Sequence, residues 1–314
     1  MNSELIKKTA VKQVRVAADH AGQRLDNFLV RQLKGVPRAA VYRMIRTGQV
    51  RINGGRCTPD HKLRAGEEVR IPPVRALQGG TAIVSATVID QIRNAVIYAD
   101  ANYVVVDKPS GMAVHSGSNL PWGMVDAVRQ GRPNQYVELA HRIDRETSGC
   151  VVLARNRPAL KHIATQFRDG SIVKKYRCLM NGHLREARIT VDAPLLKTRG
   201  AHEHLVEIDE EGKDAVTEFR LLQTYRECSY VEAELFTGRT HQIRVHAAHI
   251  GLPLAGDERY STPAALKIWK ARGLHRLFLH AHQLAFTSLT GEFINCDSPL
   301  PAALRAVLDR LDTG

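Results

Sequence analysis

Nine consecutive residues, His141-Arg142-Ile143-Asp144-Arg145-Glu146-Thr147-Ser148-Gly149, set the carboxylate of Asp144 among basic side chains. An apolar run, Cys150 to Ala154, follows and reads as a buried strand. A carboxylate held by cations stays deprotonated, which is the form a nucleophile or general base needs. The same composition also suits a structural ion pair, and residue types alone leave both readings open. A second cluster, Gly238-Arg239-Thr240-His241-Gln242-Ile243-Arg244-Val245-His246, lies about a hundred residues on. Thr240 is the expected N-cap of a helix there, with Ile243, Ala247 and Ile250 inward and Gly251 at its end. His241, His246 and His249 invite a metal reading. Only the last two have close helical spacing, there is no HExxH, and no cysteine joins them, so no metal is expected. His280 and His282 alternate along LHAHQLAF and share one face of a strand.

The elements that must position these residues are mostly strands. Ile97–Ala99 and Tyr103–Val106 read as two strands around a turn, followed by the loop Asp107-Lys108-Pro109-Ser110-Gly111. Pro158–Phe167 reads as a helix, and Lys174-Lys175-Tyr176-Arg177 opens another strand. Further strands are expected at Ile189–Val191, His204–Ile208, Thr217–Leu222 and Tyr230–Phe236, with a helix from Leu304 to Leu311 at the C-terminus. Strands outnumber helices without regular β-α alternation. The expected class is therefore α+β, with a mixed, mainly antiparallel central sheet.

The 314 residues suggest two domains. Charge divides them: residues 1–78 carry 16 Lys/Arg against 6 Asp/Glu, whereas residues 79–314 carry 29 against 26. A strongly basic module on a nearly neutral body implies a polyanionic partner. The basic residues come with no exposed Trp/Phe/Leu helix face of the membrane-surface type, which favours nucleic acid. Leu25, Phe28, Leu29 and Leu33 mark one helix, stopped by Gly35. Pro37 opens a second, with Val41, Met44 and Ile45 inward and Gly48 at its end. Val50 and Ile52 begin a strand, Asn53-Gly54-Gly55 is a turn, and Val69 and Ile71 form another short strand. Arg31, Lys34, Arg38, Arg43, Arg46, Arg51 and Arg56 are left for the outer faces as nucleic-acid contacts. The expected boundaries are an extension over 1–21, the module over 22–73, a linker over 74–92 and a body over 93–314. The five cysteines are scattered and form no CxxC, so neither a disulfide framework nor a zinc knuckle is expected. The N-terminus lacks an apolar signal core, and no apolar stretch approaches the roughly 18 residues that span a bilayer. A soluble, cytoplasmic protein is expected.

HRIDRETSG resembles the HRLDxxTSG signature of the RluA-type pseudouridine synthases, DKPSG resembles that family's first motif, and GRTHQIRVH its third. Residues 22–72 resemble the small RNA-binding domain of alpha-L type. The resemblance covers roughly residues 20–300 and is strongest to the family's large-subunit ribosomal RNA branch. It implies a pseudouridine synthase fold with a cleft in the central sheet, and isomerisation of specific uridines in 23S rRNA, free or pre-ribosomal. In that reaction the base is detached from C1′ at N1, rotated and rejoined through C5. No cofactor and no protein partner are implied. By the same resemblance Asp144 is the catalytic carboxylate and Arg244 pairs with it; a guanidinium can hold and orient a carboxylate through paired hydrogen bonds. Tyr176 would stack on the uracil and could assist proton removal from C5. Arg142 would contact phosphate or fill the space of an extruded nucleotide. Two other classes remain: a non-catalytic RNA-binding or ribosome-assembly protein, and an RNA methyltransferase. The second would need a Gly-rich nucleotide loop after a strand, and none is found.

Overall fold

In the computed structural model Leu25, Phe28, Leu29 and Leu33 form one buried helical face, as their spacing requires. The structure describes residues 6–8, 10–33, 36, 38–77, 83–116, 120–199 and 204–312, and the chain divides into two units, Met1–Ile83 and Val84–Gly314.

The first unit runs β1 (Ile6–Lys8), β2 (Lys12–Arg15), α1 (Leu25–Gln32), α2 (Arg38–Arg46), β3 (Arg51–Ile52), β4 (Glu68–Ile71) and β5 (Arg75–Leu77). Strands β2, β4 and β3 form an antiparallel sheet in that order, and β1 pairs with β5. Val41, Met44 and Ile45 of α2 join the face of α1 in one core with Val50, Val69 and Ile71. Asp26 ties the helices together by accepting from the Tyr42 hydroxyl at 2.7 Å and from Arg24 at 2.9 Å. The Arg24 hydrogen bond is the main cause that brings its carboxyl down to about 2; burial opposes it, and Tyr42 and the Asn27 amide add to it. Asn53 and Gly54 both have positive φ (48° and 80°), which the tight turn after β3 demands. Arg31, Arg43, Arg46 and Arg56 are exposed, while Arg51 is half-buried with Nη1 donating to the Gly54 carbonyl. Arg38 opens α2. Lys34, Gly35 and Pro37 lie outside the described residues.

The second unit runs α3 (Ala86–Asn94), β6 (Val96–Ala99), β7 (Tyr103–Lys108), α4 (Met124–Gln130), β8 (Glu138–Leu139), β9 (Ser148–Ala154), α5 (Arg157–Asp169), β10 (Val173–Asn181), β11 (Arg188–Asp192), β12 (Leu195–Arg199), β13 (His204–Ile208), β14 (Val216–Thr224), β15 (Cys228–Leu235), α6 (Gln242–His249), α7 (Pro263–Ala271), β16 (Leu279–Thr287), β17 (Phe293–Asp297) and α8 (Ala302–Leu308). The α+β class with a mixed, mainly antiparallel sheet is as expected. Its order is β11-β14-β15-β10-β16-β9-β7-β6, with β17 on β16 and β8 on β9, while β12 and β13 pair apart. Every pairing is antiparallel except β9 with β16, which rests on two residue pairs, Ser148 with His280 and Gly149 with Ala281. The sheet is thus two antiparallel halves joined by a short parallel contact. The apolar runs of β7 and β9 are buried on both faces. Val104, Val106, Val151 and Leu153 pack with α3 and α4, whereas Val105, Val152 and Ala154 pack with α5.

The expected boundaries need correction. Residues 1–21 are not a mere extension, because β2 completes the small sheet. Nor is 74–92 only a linker: β5 belongs to the first unit, while Val84 and Ile92 of the α3 segment are buried in the core of the second. Short strands whose partners lie some sixty residues away leave little periodic trace, and α3 begins soon after a Gly-Gly pair.

Cys150, Cys178, Cys228 and Cys296 are buried in the second unit, while Cys57 in the first is half-exposed; all five are free. Among the described residues no helix is long and apolar enough to cross a membrane.

Gly149 stands where β9 and β16 join. Its φ is +112°, and a Cβ there would lie 2.2 Å from the Ala281 carbonyl oxygen, which is backbone and cannot move aside alone. Gly149→Ala should lower the unfolding free energy by more than about 3 kcal/mol, read by urea denaturation. A loss under about 1 kcal/mol would show that the joint adapts.

Candidate active site

Asp144 sits in the loop that enters β9, and the loop's own backbone is held from three sides. His141 stacks on Phe167 of α5 at 4.5 Å, and its Nε2 accepts the Val152 amide at 3.0 Å. An imidazole that accepts there is neutral, and burial, with Lys174 adding, pushes His141 down to about 3. The DKPSG segment grips the loop from the other side. Lys108 is fully buried, and its Nζ donates to the carbonyls of Pro109, Met112 and Arg145 at 2.8, 2.7 and 3.1 Å. Ser110 Oγ donates to the Glu146 carbonyl, and the Gly111 amide donates to the Arg145 carbonyl. Burial, with Arg276 adding, pulls the Lys108 ammonium down to about 7, and three carbonyl acceptors suit its charged form. From below, Ser148 Oγ meets His280 Nδ1 at 2.9 Å and accepts from Arg276 at 2.8 Å. His280 is buried, with Nε2 at 3.1 Å from the Ser298 carbonyl; His282 Nε2 meets Glu232 at 3.0 Å. Both are hydrogen-bonded strand histidines.

Tyr176 reaches Asp144's cavity from β10. The register of β10 on β16 slips between Lys175 and Arg177, opposite Gln283 and His280. Two residues of β16, Ala281 and His282, therefore face Tyr176 alone, a bulge that re-aims the local side chains beside the joint. Its ring packs against the cores of both half-sheets. Burial, reinforced by Asp144, pushes its phenol well above the ordinary tyrosine range.

Helix α6 brings the third group. Its N-cap is His241, not Thr240, in a left-handed conformation (φ 55°, ψ 15°) without a side-chain cap bond. Buried Gln242 anchors the turn: Oε1 accepts from Thr237 Oγ1 and the Arg239 amide, and Nε2 donates to the Val216 carbonyl and Thr217 Oγ1. Arg244, on the same turn, approaches Asp144 Oδ2 with Nη1 at 3.7 Å. Its paired hydrogen bonds go elsewhere. Nε and Nη2 each donate to Asp257 at 2.7 Å, and Asp257 also accepts from the amides of Arg259 and Tyr260. Asp257 is 0% exposed, Arg244 5% and Asp144 22%. Burial works against the Arg244 guanidinium, but the hydrogen bonds and charge of Asp257, with Asp144 adding, hold it above its ordinary value. The Tyr260 ring lies beneath it at 5.1 Å. Asp257 and Tyr260 were not expected from the sequence. They sit in the loop 256–262, where nothing in Gly-Asp-Glu-Arg-Tyr marks an Asp thirteen residues after Arg244 as its partner.

Asp144, Tyr176 and Arg244 are thus brought together on a cavity of about 520 Å³, also lined by Arg142, Phe167 and Phe236. Arg142 is exposed and borders a second hollow, about 570 Å³, which shares Asp144, His241 and Arg244. The other cations expected to bind RNA lie in the first unit. Among the described residues no three His, Cys, Asp or Glu gather as metal ligands, and His246 Nε2 is taken by the Ala193 carbonyl. The arrangement sets a partly exposed carboxylate within 4 Å of a fixed guanidinium, on a cavity walled in part by Phe167, Tyr176 and Phe236.

The family model for RNA pseudouridylate synthase matches residues 102–249, which include Asp144, Tyr176 and Arg244 but stop short of Asp257; an S4 domain model matches residues 23–69. Similar proteins include the ribosomal large subunit pseudouridine synthase C of Salmonella typhimurium, 42% identical over 309 residues that cover 96% of this chain and 97% of that one. The protein of the same name from Yersinia pestis is 41% identical over 303 residues, 95% of each chain. Among solved structures, human RNA pseudouridylate synthase domain containing 4 aligns with a TM-score of 0.60 and 26% identity, over 72% of this chain and 97% of that one.

Breaking a buried pair leaves a charge without its counterion. Asp257→Asn should therefore cost about 3–5 kcal/mol of stability, measured by urea unfolding. A loss under about 1 kcal/mol would mean that Arg244 is held by its other neighbours.

Proposed function

This chain belongs to the RNA pseudouridylate synthase family and is an RNA pseudouridine synthase, and we propose that it converts specific uridines of 23S ribosomal RNA to pseudouridine with Asp144 as the reacting carboxylate. The substrate reading is supported by similarity along nearly the whole chain to proteins named for the large ribosomal subunit. The observation that carries the role of Asp144 is its place on the cavity, with Arg244 and His241 both within 4 Å of Oδ2.

The chemistry needs the base freed from C1′, turned and rejoined through C5. Asp144 has three routes open: attack on C1′, addition to the base, or removal of a ribose proton. Each needs an oriented carboxylate beside fixed positive charge. Tyr176 offers its ring as a stacking surface, and a phenol held above its ordinary range keeps its proton at neutral pH. Extrusion of the nucleotide exposes the glycosidic carbon, and Arg142 meets a backbone phosphate or the vacated space. The first unit adds sequence-tolerant phosphate contacts, for which Arg31, Arg38, Arg43, Arg46, Arg51 and Arg56 are the proposed residues. Free or pre-ribosomal 23S rRNA in the bacterial cytoplasm is the proposed substrate and place.

With unmodified large-subunit rRNA and no added cofactor, carbodiimide mapping should give primer-extension stops with the wild type only. Asp144→Asn should lose at least about 10³-fold in rate while binding RNA. Normal turnover by that variant would overturn the assignment. Arg38→Glu with Arg46→Glu should weaken RNA binding and flatten the plot of log K against log [salt] by about 1 to 2. An unchanged slope would remove the first unit from the interface.

A further inference from the structure

We propose that His241 is a positioning residue for Asp144, whose Nε2–H acts beside Arg244 as a second donor to one carboxylate oxygen and leaves the other free to react. The inference rests on the reading of Asp144 as the reacting group.

The backbone gives the first reason. Among the described residues three non-glycine positions have positive φ, namely Asn53, Asn134 and His241. Any residue with a Cβ meets a cost in that conformation, although Asn and His adopt it more readily than most. At His241 the left-handed turn opens α6 and places the imidazole between Tyr260 and Asp144, with the side chain 12% exposed.

Hydrogen bonding gives the second, because it settles which nitrogen carries the proton. His241 Nδ1 lies 2.9 Å from the Tyr260 hydroxyl, with the two rings edge-on at 5.7 Å. On the other side of the ring Nε2 faces the Asp144 carboxylate, which can only accept. The neutral ring therefore satisfies both neighbours when the Tyr260 hydroxyl donates to Nδ1. Nδ1 is then an acceptor, and in a neutral ring the proton resides on Nε2. Burial, with Arg244 and Arg259 adding, lowers the imidazole against the pull of Asp144 and so favours the neutral ring.

Nε2 is 3.9 Å from Asp144 Oδ2, and Arg244 Nη1 is 3.7 Å from the same oxygen. Both distances exceed a hydrogen bond. Such contacts tighten when substrate fills a site and displaces water. Two donors converging on Oδ2 fix the rotation of the carboxylate and turn Oδ1 to the substrate. Tyr260 does double duty here, as it also lies beneath Arg244.

The test compares wild type, His241→Asn, Tyr260→Phe and the double variant on one RNA. Asn tolerates the left-handed turn, so His241→Asn should melt no lower than wild type. Its kcat should fall about 10- to 100-fold with KM within about 3-fold, the loss expected when a group orienting a reacting side chain is removed. Tyr260→Phe keeps the ring and loses the hydroxyl; its loss should be smaller, and the double variant should be no slower than His241→Asn alone. In wild type, ¹⁵N-imidazole spectra, with the His241 signal assigned through either variant, should show the neutral Nε2–H tautomer. A neutral Nδ1–H tautomer, a wild-type kcat in His241→Asn, or losses that multiply in the double variant would each overturn the proposal. Full turnover by Asp144→Asn would remove the reacting group and leave the tautomer assignment standing, so the two failures are distinguishable.

Discussion

Two residue pairs, Ser148 with His280 and Gly149 with Ala281, hold two antiparallel half-sheets in one sheet. Because that contact is parallel, the loops entering β9 and β16 lie on the same side. The end of β7 arrives there too, through the pairing of Lys108 with Gly149. Asp144 belongs to one of these loops, Arg276 to another, and the bulge opposite Tyr176 to the strand beside them. The position of every group from these strands is therefore inherited from a joint too narrow for a Cβ. α6 reaches the same point from outside the joint, and the desolvated Arg244–Asp257 pair gives its guanidinium one direction. Such a pair is weak support for stability but strong support for geometry, since neither charge can leave the other without water to receive it.

The sequence and the structure part company where tertiary pairing decides. The HRIDRETSG loop was legible because its chemistry is contiguous and its composition unusual. The helices of the first unit were legible because Leu25, Phe28, Leu29 and Leu33 repeat at the helical period between glycine signals. Strands β1, β2 and β5 were not, because KQVR and its kind carry no apolar alternation and exist only through their partners. Arg244 was read as paired with Asp144; it stands 3.7 Å from that carboxylate, while its bidentate partner is Asp257. Asp257 owes its role to the path of a loop, which no local pattern encodes. The choice of His241 over Thr240 as N-cap likewise turns on a backbone conformation that side-chain preferences do not report. Tyr176 was visible only by family resemblance, since a tyrosine in a strand is ordinary on any other ground.

Charge tells a similar story. The excess of the first unit was read from composition, and its exposed arginines fit that reading. In the second unit many cations are spent internally. Buried Glu232 alone engages Arg177, Arg220, Lys175 and His282. Burial opposes its ionised form, yet Arg220 and Arg177 lead the neighbours that hold it below its ordinary value. A near-zero sum over a domain thus conceals both neutralised networks and local patches, and only the latter can meet a phosphate.

The distribution of thiols has a practical corollary. Four cysteines are sealed within the second unit, and burial holds Cys150, Cys178, Cys228 and Cys296 in the unreactive thiol form. Burial raises the Cys57 thiol too, with Arg51 opposing it, but Cys57 is half-exposed and lines a cleft with Arg46 and Arg56. Without any engineering, the chain is close to a single-site substrate for a maleimide dye. A fluorophore installed on the native protein would report from the arginine-rich unit.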